Sequence, residues 1–339
     1  MAKRCLAPQA VPCPLSPESG WHAHRILCSR SRAKHADPRP GRRLITLLHV
    51  SDLHFGPPYL PQVGEAVQKF AAGLLPTAII ASGDFTQRAK EEQFAEARAF
   101  LDRFPRVPTV VTPGNHDVPL YRFAERMLEP YKHYRKHIHQ ELDTVTRIPG
   151  ATIAAVNSTD PHRQITNGRI RRTQLEFIRQ AFEGRPEDEL RIVVTHHNLT
   201  PAPDFEGGEV IQKAQRTLDA LTAMRVDLVL GGHLHRAYIG NSLDVYAGED
   251  REHGIVIVQS GTSTSRRGRA REREKNSLNV VRLDGATIRV THYMFFDDTG
   301  DFIPTSRHLF FRRGRPPLDA EGRAAVEAIF TDDRAEARG

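Results

Sequence analysis

The stretch Leu44-Ile45-Thr46-Leu47-Leu48-His49-Val50-Ser51-Asp52-Leu53-His54 is an almost continuous apolar run that ends on Ser-Asp-Leu-His. A run of this kind reads as a strand buried on both faces, its polar end delivered to the carboxyl edge of a sheet. The segments that follow repeat the arrangement. Residues Val63–Leu75 have helical spacing and close at Pro76, and Thr77–Ala81 reads as a strand ending at Gly83-Asp84. Glu91–Phe104 is an amphipathic helix stopped by Pro105, and Val107–Thr112 is a strand that runs into Pro113-Gly114-Asn115-His116-Asp117. The polar segment Pro119–Leu142 is predicted as one long helix. Strands at Ala151–Val156 and Arg191–Thr195 flank a helix at Thr173–Phe182, and a helix at Val210–Met224 precedes a strand at Val226–Leu230. Beyond that point Gly254–Gln259, Leu278–Leu283 and Thr287–Tyr293 are strands with no helix between them, the last two joined through Asp284-Gly285, a hairpin signal. The first part therefore favours parallel pairing through helices and the later part antiparallel pairing.

Metal-capable side chains recur at the strand ends. Asp52 and His54 follow the first strand, Asp84 the second, and Asn115, His116 and Asp117 the third; His196 and His197 follow Arg191–Thr195, and His233 and His235 follow Gly231-Gly232. Each signal alone is an ordinary turn or a satisfied histidine. Five in order, each after an apolar strand, are not. Imidazole, carboxylate and amide oxygen together suit Mn, Fe, Zn, Co or Ni, and a centre without thiolate disfavours a structural zinc. Two ions about 3.5–4 Å apart need an anionic bridging ligand, which a carboxylate supplies.

This order of motifs resembles the calcineurin-like metallophosphoesterases from about Leu44 to Val290. The resemblance implies an α/β fold, a four-layer α/β/β/α sandwich of two mixed sheets. It implies two divalent or trivalent transition-metal ions, one held by Asp52, His54 and His235, the other by Asn115, His196 and His233, with Asp84 bridging. His196 rather than His197 is the expected ligand. Hydroxide made available between the ions attacks phosphorus, and His116, beside Asn115, is the expected general acid or oxyanion stabiliser. His49-Val-Ser-Asp-Leu-His-Phe-Gly56 and Ser260-Gly-Thr-Ser-Thr-Ser-Arg266, with Asn276-Ser-Leu-Asn-Val280, look like the bacterial cyclic-nucleotide phosphodiesterase branch. The expected reaction is phosphodiester hydrolysis of a small substrate, a 3′,5′-cyclic nucleotide being one candidate. A phosphomonoesterase or protein phosphatase, a lipid-precursor pyrophosphatase and a DNA-end nuclease are the alternatives; a non-catalytic scaffold would have lost ligands, and none is missing. The family's usual Asp is replaced by Asn157 in Val156-Asn-Ser158.

Two further segments have open readings. Arg266, Arg267, Arg269, Arg271, Arg273 and Lys275 stand against Glu272 and Glu274; they form either an arginine loop that reaches a substrate phosphate, with Asn115, His116, Arg266 and Arg267 as its binding set, or a solvated loop. His133, His137 and His139 read as a surface face.

The chain has 339 residues, 39% hydrophobic and 26% charged, an ordinary globular composition. No apolar run reaches the roughly 18 residues of a membrane span. The net charge of +7 is confined to residues 1–43, which hold nine basic residues against two acids; the remainder carries 39 of each sign. Bulk charge thus gives no argument for a nucleic-acid partner. The same 43 residues contain Cys5, Cys13 and Cys28, show no apolar period and have no apolar region after Arg4. They are expected to be a disordered extension, residues 44–312 the catalytic domain, and 313–339 a charged tail or surface helix. The cytoplasm is the expected compartment; the oligomeric state is not legible.

Overall fold

The computed structural model describes residues 44–162, 167–202, 210–246 and 254–312; the segments 1–43 and 313–339, for which an extension and a tail are expected, lie outside the described residues. The strands are β1 Ile45–Val50, β2 Ala78–Ala81, β3 Thr109–Val111, β4 Thr144–Ile148, β5 Ala151–Ala155 and β6 Leu190–Val194. They continue as β7 Leu228–Gly231, β8 Tyr238–Asn241, β9 Val256–Gln259, β10 Ser277–Leu283, β11 Thr287–Phe296 and β12 Asp301–Phe311. The helices are α1 Pro61–Leu74, α2 Glu91–Asp102, α3 Phe123–Leu128, α4 Lys132–His137, α5 Arg172–Phe182 and α6 Ala214–Ala223.

Two six-stranded mixed sheets result, in the orders β12-β11-β10-β1-β2-β3 and β4-β5-β6-β7-β9-β8. Alternation along each strand explains the continuous apolar runs. In β1, Ile45 and Leu47 point between the sheets, where they join Ile80, Ile153, Ile192, Leu230 and Val258. Leu48 and Val50 point the other way, onto Val67, Phe94 and Phe100 of α1 and α2. The second sheet does the same: Val193, Val229 and Ile257 face Ile178 of α5 and Leu218 of α6. Both faces of each central strand are buried, so the expected four-layer α/β/β/α sandwich is the observed one.

Three expectations are corrected. The segment Pro119–Leu142 is not one helix but α3 and α4, six residues each, interrupted at Glu129-Pro130-Tyr131. Pro130 has no N–H to continue a helix, and the break lets α4 bury Tyr134 against Phe85 and Phe94. Strand β9 pairs with β7 in parallel, not antiparallel, because β8 lies outside it at the sheet edge and returns the chain. Strands β4, β8 and β12 are missing from the expectation. They are edge strands with one solvated face, and β12, with Phe302 as its one buried residue, alternates partly buried and exposed positions over most of its length. No helix among the described residues is long and apolar enough to cross a membrane.

Candidate metal centre

The carboxyl ends of β1, β2 and β3 in one sheet and of β6 and β7 in the other meet at a single crevice, so the five motifs come from two sheets. The β1 end is stitched to the β2 end by Asp52 N–H to Gly83 O, 3.0 Å, and His54 N–H to Asp84 O, 2.9 Å. Thr262 and Thr264, after β9, donate their hydroxyls to the carbonyls of Asp52 and Leu53 at 2.7 and 2.9 Å. Asp117 accepts from the backbone N–H groups of Gly114, Phe85 and Thr86, pinning the Asn115–Asp117 turn. Burial, and then the charge of Asp84, push Asp117 up to about 7. Gly83, at φ +99°, is required by packing as well as by conformation: a Cβ there would lie 2.5 Å from His196 Nδ1.

The side chains form two overlapping groups. In the first, the ligand atoms of Asp52, His54, Asp84 and His235 all lie within 4.8 Å of one another, all four residues buried. His235 Nε2 is 3.1 Å from Asp52 Oδ1 and 3.0 Å from His54 Nε2. In the second, Asn115 Oδ1 lies 3.2 Å from His196 Nε2 and 2.9 Å from His233 Nδ1. Asp84 Oδ2 belongs to both, 3.7 Å from His54 Nε2 and 3.5 Å from His196 Nε2. His197 turns away to Ser158 Oγ, 2.8 Å.

The donor set fits metal ions. Asp52 Oδ1 and Asp84 Oδ2 are buried carboxylate oxygens that accept no hydrogen bond, an expensive condition that a cation relieves. Burial raises both carboxyls, but the adjacent imidazoles, His235 for Asp52 and His196 for Asp84, outweigh it and hold them below their usual range. Burial lowers the His54 pKa and keeps that ring neutral, as a ligand must be. The Ser82 carbonyl takes the Nδ1 proton of His196 at 2.7 Å, leaving Nε2 facing the cluster.

Residues 45–237 match the calcineurin-like phosphoesterase family over more than half of the chain. The chain belongs to this family. Among curated relatives, a cAMP/cGMP dual specificity phosphodiesterase of Mycobacterium tuberculosis is 25% identical over 249 residues, 66% of this chain and 73% of the relative. A probable cyclic nucleotide phosphodiesterase of Rhodococcus erythropolis is 26% identical over 213 residues, 58% of this chain and 66% of the relative. Among solved structures, a purple acid phosphatase of yellow lupin shares the fold at TM-score 0.60 and 12% identity. That match covers 82% of this chain and 57% of the longer lupin chain. A dimetal phosphatase of Danio rerio aligns at TM-score 0.56 and 9% identity, covering 79% and 99%. The calcineurin-like phosphoesterases are metal-dependent phosphoester hydrolases, and the buried Asp/His cluster is in keeping with a dinuclear centre.

Around the calcineurin-like core, His116 is half-buried, its ring 4.9 Å edge-on from that of His54. Its Nδ1 donates to Gln87 O at 3.1 Å, and its N–H to Asp84 Oδ1 at 2.7 Å. Burial, only partly opposed by the charge of Asp84, lowers its pKa. Gln87 also accepts from Arg267 Nη1 at 3.1 Å, which ties the arginine segment to His116. Sequence reasoning missed Gln87, which no local signal marks. Thr262 and Thr264 stand in the Ser260–Arg266 motif, but their part in holding the Asp52 and Leu53 carbonyls is not legible, because those carbonyls come from a distant segment. Asn157 lies outside the cluster and builds a turn, its Oδ1 accepting from Thr159 N and Oγ1 at 2.9 and 2.8 Å, which an aspartate would do equally. Of the three histidines expected on one helix face, His139 lies beyond the end of α4, and His133 and His137 have a carboxylate nearby, Glu91, which reaches His133 Nδ1 at 3.6 Å and His137 Nε2 at 3.4 Å.

Proposed function

We propose that this protein hydrolyses phosphodiester bonds in small substrates, 3′,5′-cyclic nucleotides among them, at a two-ion centre within residues 44–312. Asp52, His54 and His235 hold one ion, Asn115, His196 and His233 the other, and Asp84 both. The observation that carries this reading is Asp84 Oδ2, a buried oxygen without a hydrogen-bond donor that faces both histidine groups. When bound, two such ions neutralise phosphate charge and supply a nucleophilic water ionised near neutral pH.

The chain's own residues do the rest. The Gln87 carbonyl fixes the proton of His116 on Nδ1, so Nε2 is the nitrogen that exchanges a proton with the leaving alkoxide. Burial, which lowers the His116 pKa, makes the protonated ring a stronger acid but a less populated form at neutral pH. Arg267 pairs with no carboxylate among the described residues. The charges of Asp84 and Asp52 act on it and Gln87 holds it, which suits a guanidinium that grips a non-bridging phosphate oxygen. The two cyclic-nucleotide phosphodiesterases among the relatives support a diester over a monoester.

The test is elemental analysis after Mn²⁺ loading, with turnover of bis-p-nitrophenyl phosphate, p-nitrophenyl phosphate, 2′,3′- and 3′,5′-cyclic nucleotides and single-stranded DNA. Two equivalents of metal and faster turnover of diesters are expected. Trace metal after loading sinks the centre, and a preference for the monoester sinks the diester reading.

A further inference from the structure

The backbone of the arginine-rich segment is fastened down, although the side chains of Arg266, Arg269, Arg271 and Arg273 are exposed and that of Arg267 is half-buried. Arg266 N–H donates to Pro58 O at 2.9 Å, Arg269 N–H to His235 O at 3.0 Å, and Asn276 Nδ2 to Ser265 O at 2.8 Å. At its centre lies Glu272, only 5% exposed although it is one of two acids among six basic residues. Its neighbour Glu274 behaves as expected, 82% exposed and 3.9 Å from Arg273. Glu272 makes no ion pair with an arginine among the described residues, although the charge of Arg236 acts on it and its Oε1 lies 3.6 Å from His292 Nε2. Its Oε1 accepts from Ala237 N–H at 2.5 Å and its Oε2 from Ser277 Oγ at 2.5 Å. Ala237 lies two residues beyond the proposed ligand His235, and Ser277 opens β10. The fold makes room for this carboxylate: a Cβ on Gly261 would stand 2.0 Å from Glu272 Oε2.

We propose that Glu272 is a positioning residue for phosphate binding: by tying the arginine loop to the His235 turn and to β10, it holds the Arg267 guanidinium over the metal-ligand cluster. This rests on the role given to Arg267 above. The link is short. Glu272 N–H donates to Arg269 O at 2.9 Å, and Arg269 in turn is bonded to His235, so Arg267 is carried on a closed turn with Glu272 as its inner anchor. A burial this deep leaves a carboxylate costly unless its acceptors are filled, and here both are filled by groups of the loop's two supports. Once the loop is fixed, Arg267 meets phosphate without first being ordered, and the entropic cost of the contact falls.

The test uses the Mn²⁺-loaded protein with inorganic phosphate as the probe, read by calorimetry, alongside KM for a diester. Glu272→Ala should weaken phosphate binding on the order of tenfold and raise KM similarly, with metal content unchanged. Glu272→Gln keeps an acceptor for Ala237 N–H and offers Ser277 Oγ a donor, so it should bind phosphate as the parent does. In the Arg267→Ala background, Glu272→Ala should add nothing, because it acts through Arg267. Hydrogen exchange at the Arg269 amide should quicken in Glu272→Ala and not in Glu272→Gln. The proposal is overturned if Glu272→Ala strips metal, if glutamine fails to rescue, or if the two alanine effects multiply. Diesters left intact by an enzyme that binds phosphate with this pattern would overturn the diester reading alone.

Discussion

Asp52, His54, Asp84, His233 and His235 sit at φ of 53°, 51°, 52°, 74° and 54°, the left-handed region that costs an L-residue about 1–2 kcal/mol. Five of the seven proposed ligands are thus held in strained backbone, each at a strand end, where a left-handed turn throws the side chain back across the crevice. The strain has a measurable consequence. At His54, glycine relieves it and alanine does not, so His54→Gly should be as stable as His54→Ala or more stable, by up to about 1 kcal/mol after glycine's extra unfolded-state entropy is allowed for. Urea unfolding of the metal-free proteins checks this, and a clear advantage for alanine would remove the strain argument. His116 separates binding from chemistry at the same scale. His116→Ala should keep both ions and lose kcat by roughly 10²–10⁴-fold on cyclic nucleotides, the range of a general acid. On bis-p-nitrophenyl phosphate the loss should be much smaller, because p-nitrophenolate leaves without a proton. Equal losses on both substrates, with metal retained, would leave His116 a positioning group.

Among the elements, legibility follows burial. β1, β2, β6 and β7 are buried on both faces and announce themselves as apolar runs, and six of the seven candidate ligands follow them within a few residues, so strands and ligands are readable together; the seventh, Asn115, follows the short strand β3. The edge strands β4 and β12 lack such runs because water satisfies one face. The roles of Gln87, Thr262 and Thr264 are illegible for a different reason: Thr262 serves Asp52 across 210 positions of sequence, and no local period encodes that. The α3–α4 break is marked by Pro130, but the polar spacing of Pro119–Leu142 suggests one helix; what the sequence does not show is that the break lets a single ring, Tyr134, be buried. That ring supplies the prediction at this scale. Tyr134 is fully buried and its hydroxyl has no hydrogen-bond partner, so Tyr134→Phe deletes an unsatisfied polar group and keeps the packing on Phe85 and Phe94. Stability to urea should rise by about 1 kcal/mol, whereas Tyr134→Ala should cost about 3–5 kcal/mol through the cavity. A Phe variant less stable than the parent would mean that the hydroxyl has an acceptor.

For the whole molecule, the two sheets matter because neither carries the site alone: Asp52, His54, Asp84 and Asn115 come from the ends of the first sheet, and His196, His233 and His235 from those of the second. The crevice exists only while the face shared by Leu47, Ile80, Ile192 and Leu230 stays packed. All seven candidate ligands, His116 and Arg267 lie between residues 52 and 267, and the family match begins at residue 45. The basic excess lies wholly before residue 44. A chain beginning at Leu44 should therefore fold, load the same metal content and turn over a generic diester at the parent's rate. Its net charge near zero at neutral pH should make it elute from a cation exchanger earlier than the parent. The boundary is sharp because β1 is a central strand, paired with β10 on one side and β2 on the other, with Ile45 opposite Leu283. A chain beginning at Val50 loses that strand from the middle of its sheet and should not fold at all. Circular dichroism and metal content distinguish the two truncations. A well-folded chain from Leu44 that has lost turnover would show that the basic segment acts in catalysis, and that the catalytic unit does not begin at β1.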